Sequence, residues 1–174
     1  YGDIWGFETD RYFNEDDFNG KDADATWIYK DGVADQTGLQ SGSFVYGPGD
    51  VKFVDQNGDG KIDGGKGTVE DHGDLKVIGN ALPRFEYALR LGAAWKGFDI
   101  DVFLQGVGQR KLWTTGSLFI PMAQSNLGVY DHQLSYNKYV VDPNGNITGW
   151  EINQDNDYPN MYPGASGTGK VSNI

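Results

Sequence analysis

The chain contains no cysteine, which excludes a disulfide framework and a thiolate metal site but leaves the compartment open. Histidine is nearly as scarce. His72 and His132 are the two present, they do not share a metal-ligand spacing, and no Gly-x-Ser-x-Gly nucleophile elbow occurs, so nothing points to a histidine-dependent triad. No stretch approaches the ~18 consecutive apolar residues of a membrane helix, and no basic segment leads into an apolar run as a signal peptide would. Cations are outnumbered, 14 Lys and Arg against 25 Asp and Glu, for a net charge of −11. That balance repels phosphate backbones and argues against a nucleic-acid partner. What the chain does have is glycine, 26 of 174 residues, and aromatics at 14%, with a mean hydropathy of −0.55. This mixture suits β-rich, loop-rich structure. The missing apolar run does not exclude a membrane, because a barrel strand alternates lipid-facing and lumen-facing residues.

Read at period two, the segment from Arg84 to Val107 stands out. Phe85, Tyr87, Leu89, Leu91, Ala93 and Trp95 alternate with Glu86, Ala88, Arg90, Gly92 and Ala94. After Lys96-Gly97, Phe98, Ile100, Val102 and Leu104 alternate with Asp99, Asp101, Phe103 and Gln105. Two alternating runs around two residues predict a β-hairpin, with Gly97 supplying the positive φ of the reversal. A soluble sandwich would alternate in the same way and bury the greasy face against a second sheet. Three details point to a membrane instead. Each strand reaches the ~10 residues that a tilted strand needs to cross the hydrocarbon layer. Trp95 and Phe98 bracket the turn, where an interfacial aromatic girdle would lie. The other face carries Arg90, Asp99 and Asp101, which suit a wet lumen better than a dry core.

The flanks are polar and rich in glycine. Between about Asn14 and Leu82 the short candidate strands are Thr26–Tyr29, Ser43–Tyr46 and Val51–Val54. Beyond Thr114, Asp142-Pro143-Asn144-Gly145-Asn146 reads as a turn and Gly164–Gly169 as a flexible tip. Both flanks exceed the ~12–15 residues of ordinary connections, whereas outer-membrane barrels pair short periplasmic turns with long external loops. The resulting expectation is all-β: an antiparallel transmembrane β-barrel piece with strands over 1–13, 84–95 and 98–113. A periplasmic turn at 96–97 and extracellular loops over 14–83 and 114–174 complete it.

Asp55-Gln56-Asn57-Gly58-Asp59-Gly60-Lys61-Ile62-Asp63 is the sharpest motif. Oxygen-bearing side chains at relative positions 1, 3, 5 and 9, glycine at 6 and an apolar residue at 8 match a calcium loop of the EF-hand type. Lys61 would lend its backbone carbonyl. Lys66 stands at position 12, where a bidentate acid belongs, and Asp71, Asp74 or Glu70 could close the shell if Gly64–Gly73 loops out. A glycine-rich Asx turn in an exposed loop accounts for the same residues without a metal. The acidic groups Glu15-Asp16-Asp17 and Asp155-Asn156-Asp157 suit a solvated surface better than a glycosidase pair. Gly106-Val107-Gly108 lacks the third glycine of a dinucleotide fingerprint and is a strand exit. No enzyme is expected. Trp5, Trp27, Tyr29, Trp113, Trp150, Tyr158 and Tyr162 fall in loops or at strand ends. Trp113, Trp150 and Tyr158 are the chosen candidates for ligand contact, since flat rings beside Asn, Gln and Asp suit sugar rings.

Several segments resemble the SusC-like family of TonB-dependent outer-membrane transporters. Pro48 to Asp63 (PGDVKFVDQNGDGKID) resembles its external-loop signature, and Val77-Ile78-Gly79-Asn80 through Pro83-Arg84-Phe85 and Tyr87 its lead into a descending strand. Gly97-Phe98-Asp99-Ile100 through Phe103-Leu104-Gln105-Gly106-Val107-Gly108 resembles the next ascending strand, and Tyr1-Gly2 through Trp5-Gly6-Phe7-Glu8-Thr9-Asp10 the strand before the loop. The order matches too. The likeness covers Tyr1–Asp10 and Pro48–Arg110 and fades from Trp113 onward. It implies a barrel of about 22 strands with a plugged lumen, of which this chain would supply about three. It also implies coupling to TonB through parts outside this chain, a SusD-like surface lipoprotein as lid, and import of glycans or peptides across the outer membrane. Asp74 would be the counterpart of the acid that closes the loop, displaced by an insertion around Gly64–Gly73. A secreted, calcium-stabilised, sugar-binding β module is the alternative from another class.

Overall fold

The computed structural model describes residues 2–40, 44–114, 116, 118–121 and 128–161. Among them the chain is all-β: β1 (Asp3–Phe7), β2 (Thr9–Tyr12), β3 (Phe18–Lys21), β4 (Trp27–Tyr29), β5 (Val51–Phe53), β6 (Leu75–Asn80), β7 (Phe85–Trp95), β8 (Phe98–Gly108), β9 (Lys138–Val141) and β10 (Ile147–Glu151). They form five two-stranded sheets, β1 with β6, β2 with β5, β3 with β4, β7 with β8 and β9 with β10. The chain divides into two units, Tyr1–Trp5 with Val77–Trp113, and Gly6–Lys76 with Thr114–Ile174.

The first unit is dominated by the hairpin. Its antiparallel register runs without a break from Trp95↔Phe98 to Phe85↔Gly108. Lys96 and Gly97 turn with φ of 48° and 85°. Positive φ at both central residues is the geometry whose twist matches that of the flanking strands. One face shows Leu89 opposite Leu104 and Leu91 opposite Val102; the other shows Arg90 opposite Phe103 and Gly92 opposite Asp101. Arg90 reaches diagonally to the Asp101 carboxylate. Among the described residues no second sheet covers the apolar face, and Leu89, Leu91, Ile100 and Leu104 are 49–63% exposed. Near the open end the rings of Tyr87 and Phe85 lie over the glycines that face them, Gly106 and Gly108, where any Cβ would strike the ring. Such pairs shield a glycine's backbone that would otherwise stand bare. β8 stops at Gly108, short of the expected 98–113: Gln109 takes φ 51°, and Lys111 N–H donates to Asn80 C=O at 2.9 Å.

The second unit corrects the expectation of two irregular loops, because it has a core. Phe13, Phe18, Phe44, Tyr46, Val51, Phe53 and Ile62 are all buried. Phe13 and Phe18 lie 5.1 Å apart between ring centroids, and Phe44 and Tyr46 4.7 Å. The strands here are too short to pair every backbone group, and buried amides take over that task. Gln36, fully buried, accepts from Phe53 N–H at 2.7 Å and donates to Val51 C=O at 3.1 Å, as a neighbouring strand would. Gln154 does the same for Tyr12 at 2.8 and 3.1 Å. Asn137 donates to Gly49 C=O at 3.0 Å and accepts from Asn153 N–H at 2.9 Å. These bonds discharge the backbone groups that burial would otherwise leave unpaired.

The expected single strand over 1–13 is two, β1 and β2, with different partners. Thr26–Tyr29 and Val51–Val54 hold strands β4 and β5. Ser43 lies outside the described residues, and Phe44 and Tyr46 are buried without forming a strand. The Gly164–Gly169 tip and Tyr162 also lie outside the described residues.

Candidate functional site

The Asp55–Asp63 loop is knitted by its own amides. Asp55 accepts from Gly58 N–H at 2.6 Å and Gly60 N–H at 2.9 Å, Asn57 from Asp59 N–H at 2.9 Å and Asp59 from Lys61 N–H at 2.9 Å. Gly58 and Gly60 make this possible with φ of 76° and 82°. The Asn57 amide donates to Asp59 at 3.2 Å, so positions 3 and 5 of the loop meet. Ile62, at position 8, is 1% exposed and anchors the loop in the core.

Residues 64–73 leave this path and return to it. Gly73, at φ 56°, passes so close to Asp63 and Gly65 that a side chain there would collide with backbone. Lys66, at position 12, pairs with Asp71 at 2.9 Å, and that hydrogen bond holds the exposed Asp71 carboxyl below its ordinary range. Closure falls to Asp74. Fully buried, its carboxylate accepts from Gln56 N–H at 2.8 Å, Asn57 N–H at 3.4 Å and Asp63 N–H at 2.9 Å. The Asp63 carboxylate turns to Gly65 N–H at 2.7 Å. Asp55, Asn57, Asp59, Lys61, Asp63 and Asp74 are thus brought into one loop. Yet no three acidic or histidine side chains among the described residues converge to hold a metal ion. Backbone N–H groups donate to the Asp55, Asn57, Asp59 and Asp74 side-chain oxygens around the ring.

The candidate aromatics separate. Trp113 belongs to the hairpin unit, beyond the end of β8, and is 49% exposed. Tyr158 is 8% exposed, bridged to Tyr136, and its burial leaves no free face for a ligand. Trp150, on β10, packs edge-on against Trp27 of β4, with centroids 5.4 Å apart and planes at 67°. This pair lines a cleft of about 330 Å³ together with Lys21, Tyr139, Pro48 and Asn160. Trp27 also lines a more open cleft of about 950 Å³, bordered by Asp10, Asp22, Asp31, Asp35 and Asp55. Sequence reasoning placed Trp27 among exposed aromatics but missed its pairing with Trp150, since 123 positions separate the two (150 − 27) and only the fold joins them.

Of the acidic groups, Asp17 is buried and built into the fold. Asp17 takes a two-pronged contact from Arg11 at 2.6 and 2.7 Å and one from Asn14 N–H at 2.8 Å. Burial alone would raise its pKa, but these donors outweigh that and hold it below the ordinary value. Asn156, between Asp155 and Asp157, donates to Asn137 at 2.9 Å. His132 is exposed, with Nε2 2.9 Å from Leu118 C=O.

No family model, curated protein or solved structure matches this chain.

Proposed function

We propose that the chain is part of a SusC-like, TonB-dependent transporter in the bacterial outer membrane, contributing barrel wall and external loops for the import of glycans or peptides. The observation that carries this is the β7–β8 hairpin. It has 11 residues in each strand and a two-residue reversal. One face is continuously apolar and uncovered, while the other carries an Arg90–Asp101 ion pair. In water, such an apolar face would be an aggregation hazard, whereas lipid makes it favourable. On this reading Phe85, Leu89, Leu91, Ile100, Val102 and Leu104 face lipid, Lys96-Gly97 lies at the periplasmic end, and the aromatic-cored unit stands outside the cell. There it meets substrate and a SusD-like lipoprotein lid. The plug and the TonB-contacting segment belong to other parts of the protein. Calcium at Asp55, Asn57, Asp59, the Lys61 carbonyl, Asp63 and Asp74 is an auxiliary proposal on which transport does not depend.

The test uses the absence of cysteine, which makes single introduced thiols unambiguous reporters. In intact cells, a bulky PEG-maleimide is expected to label Asp59→Cys at once and Lys96→Cys only after permeabilisation. The reverse pattern, or recovery of the protein in the soluble fraction, would overturn the proposal. The second reading, a secreted calcium-stabilised carbohydrate-binding β module, is favoured by the separate core of the Gly6–Lys76 and Thr114–Ile174 unit. It predicts a soluble monomer.

A further inference from the structure

We infer that the cleft between Trp27 and Trp150 binds a hexuronate ring, so that the substrate class is an acidic glycan. The walls come from two strand pairs. On the first, Lys21 of β3 stands opposite Trp27 of β4; on the second, Trp150 of β10 stands opposite Tyr139 of β9. The two tryptophans, inclined at 67°, and Tyr139 form a preorganised aromatic corner, and the backbone at Gly47 packs so close to the Trp27 indole that no side chain would fit between them. The floor is made by Pro48 and by the buried amide of Asn160, which is fixed by donation to Pro48 C=O at 2.6 Å. At about 330 Å³ and lined mostly by apolar and aromatic side chains, the cleft sits at the lower end of the ~300–1,000 Å³ typical of small-ligand sites.

Its charge is the telling feature. The chain has 25 acidic residues, yet none lines this cleft, and the single charged side chain there is Lys21. The Lys21 ammonium rests over the Trp27 ring, 4.8 Å from its centroid, and among the described residues it pairs with no carboxylate. A cation held in place on a ring without a counter-ion, beside flat apolar walls, matches a ligand with a C–H face and a carboxylate. A pyranose uronate has both in one rigid ring, which loses less freedom on binding than a flexible acidic peptide would. In this arrangement the ring's C–H face packs on Trp150 and Tyr139 and the carboxylate meets Lys21.

The inference deepens the transport reading and rests on it for the ligand's route, though binding is measurable without transport. The full-length protein in detergent would be titrated with oligogalacturonate and with its methyl ester, which keeps the ring and removes the charge, following tryptophan fluorescence and heat. Wild type is expected to favour the acid by about tenfold. Lys21→Met should bring acid binding down to that of the ester, Lys21→Arg should keep the preference, and Trp150→Ala should weaken both ligands. Lys21 is exposed, so its replacement does not threaten the fold. Equal binding of acid and ester, no binding, an acid preference that survives Lys21→Met, or tighter binding of an oligoglutamate would each overturn the inference. Failure here with correct PEG-maleimide topology sinks the cleft alone, whereas uronate binding by a soluble protein sinks the transporter alone.

Discussion

Asp74 accepts the backbone N–H of Asp63 at 2.9 Å while its other oxygen accepts that of Gln56 at 2.8 Å, so one buried carboxylate pins both ends of the Asp55–Asp63 loop. Replacing it by Asn offers a donor where an acceptor is needed. Asp74→Asn is expected to lower the local opening free energy by about 2 kcal/mol, making the Gln56 and Asp63 amides exchange roughly 30-fold faster. Unchanged exchange would show that the carboxylate is not the clasp.

The same bonds bear on calcium. If Ca²⁺ occupies the six candidate residues, chelation with EGTA is expected to lower the thermal midpoint of the aromatic-cored unit by several degrees, restored by added Ca²⁺. A midpoint unchanged to within about 1 °C would show that the loop is held closed by its backbone N–H groups alone.

The lipid assignment predicts an asymmetry that water would not produce. Leu89→Arg or Leu91→Arg should destabilise the protein in phospholipid vesicles by about 2–4 kcal/mol, and Ala88→Arg on the opposite face by much less. Both faces are exposed in the hairpin. Equal effects in urea unfolding would therefore remove lipid as the apolar face's partner.

The reversal can be tested separately. Gly97, at φ 85°, should lose about 1 kcal/mol on Gly97→Ala, whereas Lys96→Asn, at φ 48°, should be neutral or stabilising by a few tenths. Unfolding midpoints in the same vesicles would read both.

Acid should loosen the aromatic-cored unit through Asp17. Its folded pKa is depressed, because donation from Arg11 and Asn14 outweighs burial. The ionised form therefore stabilises the fold fully above the unfolded carboxylate value of ~3.9, and that contribution is lost as pH falls through the lower folded value. The midpoint is expected to hold from pH 7 to 5 and drop below about pH 4. Asp17→Asn should start lower at pH 7 and fall less steeply; an equally steep fall would assign the acid sensitivity elsewhere.

The hairpin was legible because its two determinants are local: alternation along each strand and a two-residue turn fix both pairing and register. The turn at Asp142–Asn146 was legible too, but the strands it joins, β9 and β10, were not, since Lys138–Val141 and Ile147–Glu151 are short and mostly exposed. The core of the second unit was missed for a different reason. Its polar residues read as loop, yet Gln36, Asn137 and Asn160 are buried, and an amide that completes a strand's hydrogen bonds cannot be told from a solvated one without its partner. The Asp loop was read in its order of residues, and the outward path of 64–73 was anticipated. What spacing could not show is that the Asp74 carboxylate is directed at backbone N–H groups.

The Gln154–Tyr12 pair joins positions 142 apart in sequence, and the entire hairpin lies between them. The aromatic-cored unit therefore cannot make this contact until the chain beyond the hairpin has been synthesised. Closing so long a span costs entropy that no local contact repays in advance. Assembly has a built-in order: the hairpin can pair locally at once, whereas the aromatic-cored unit closes only when both of its segments are present.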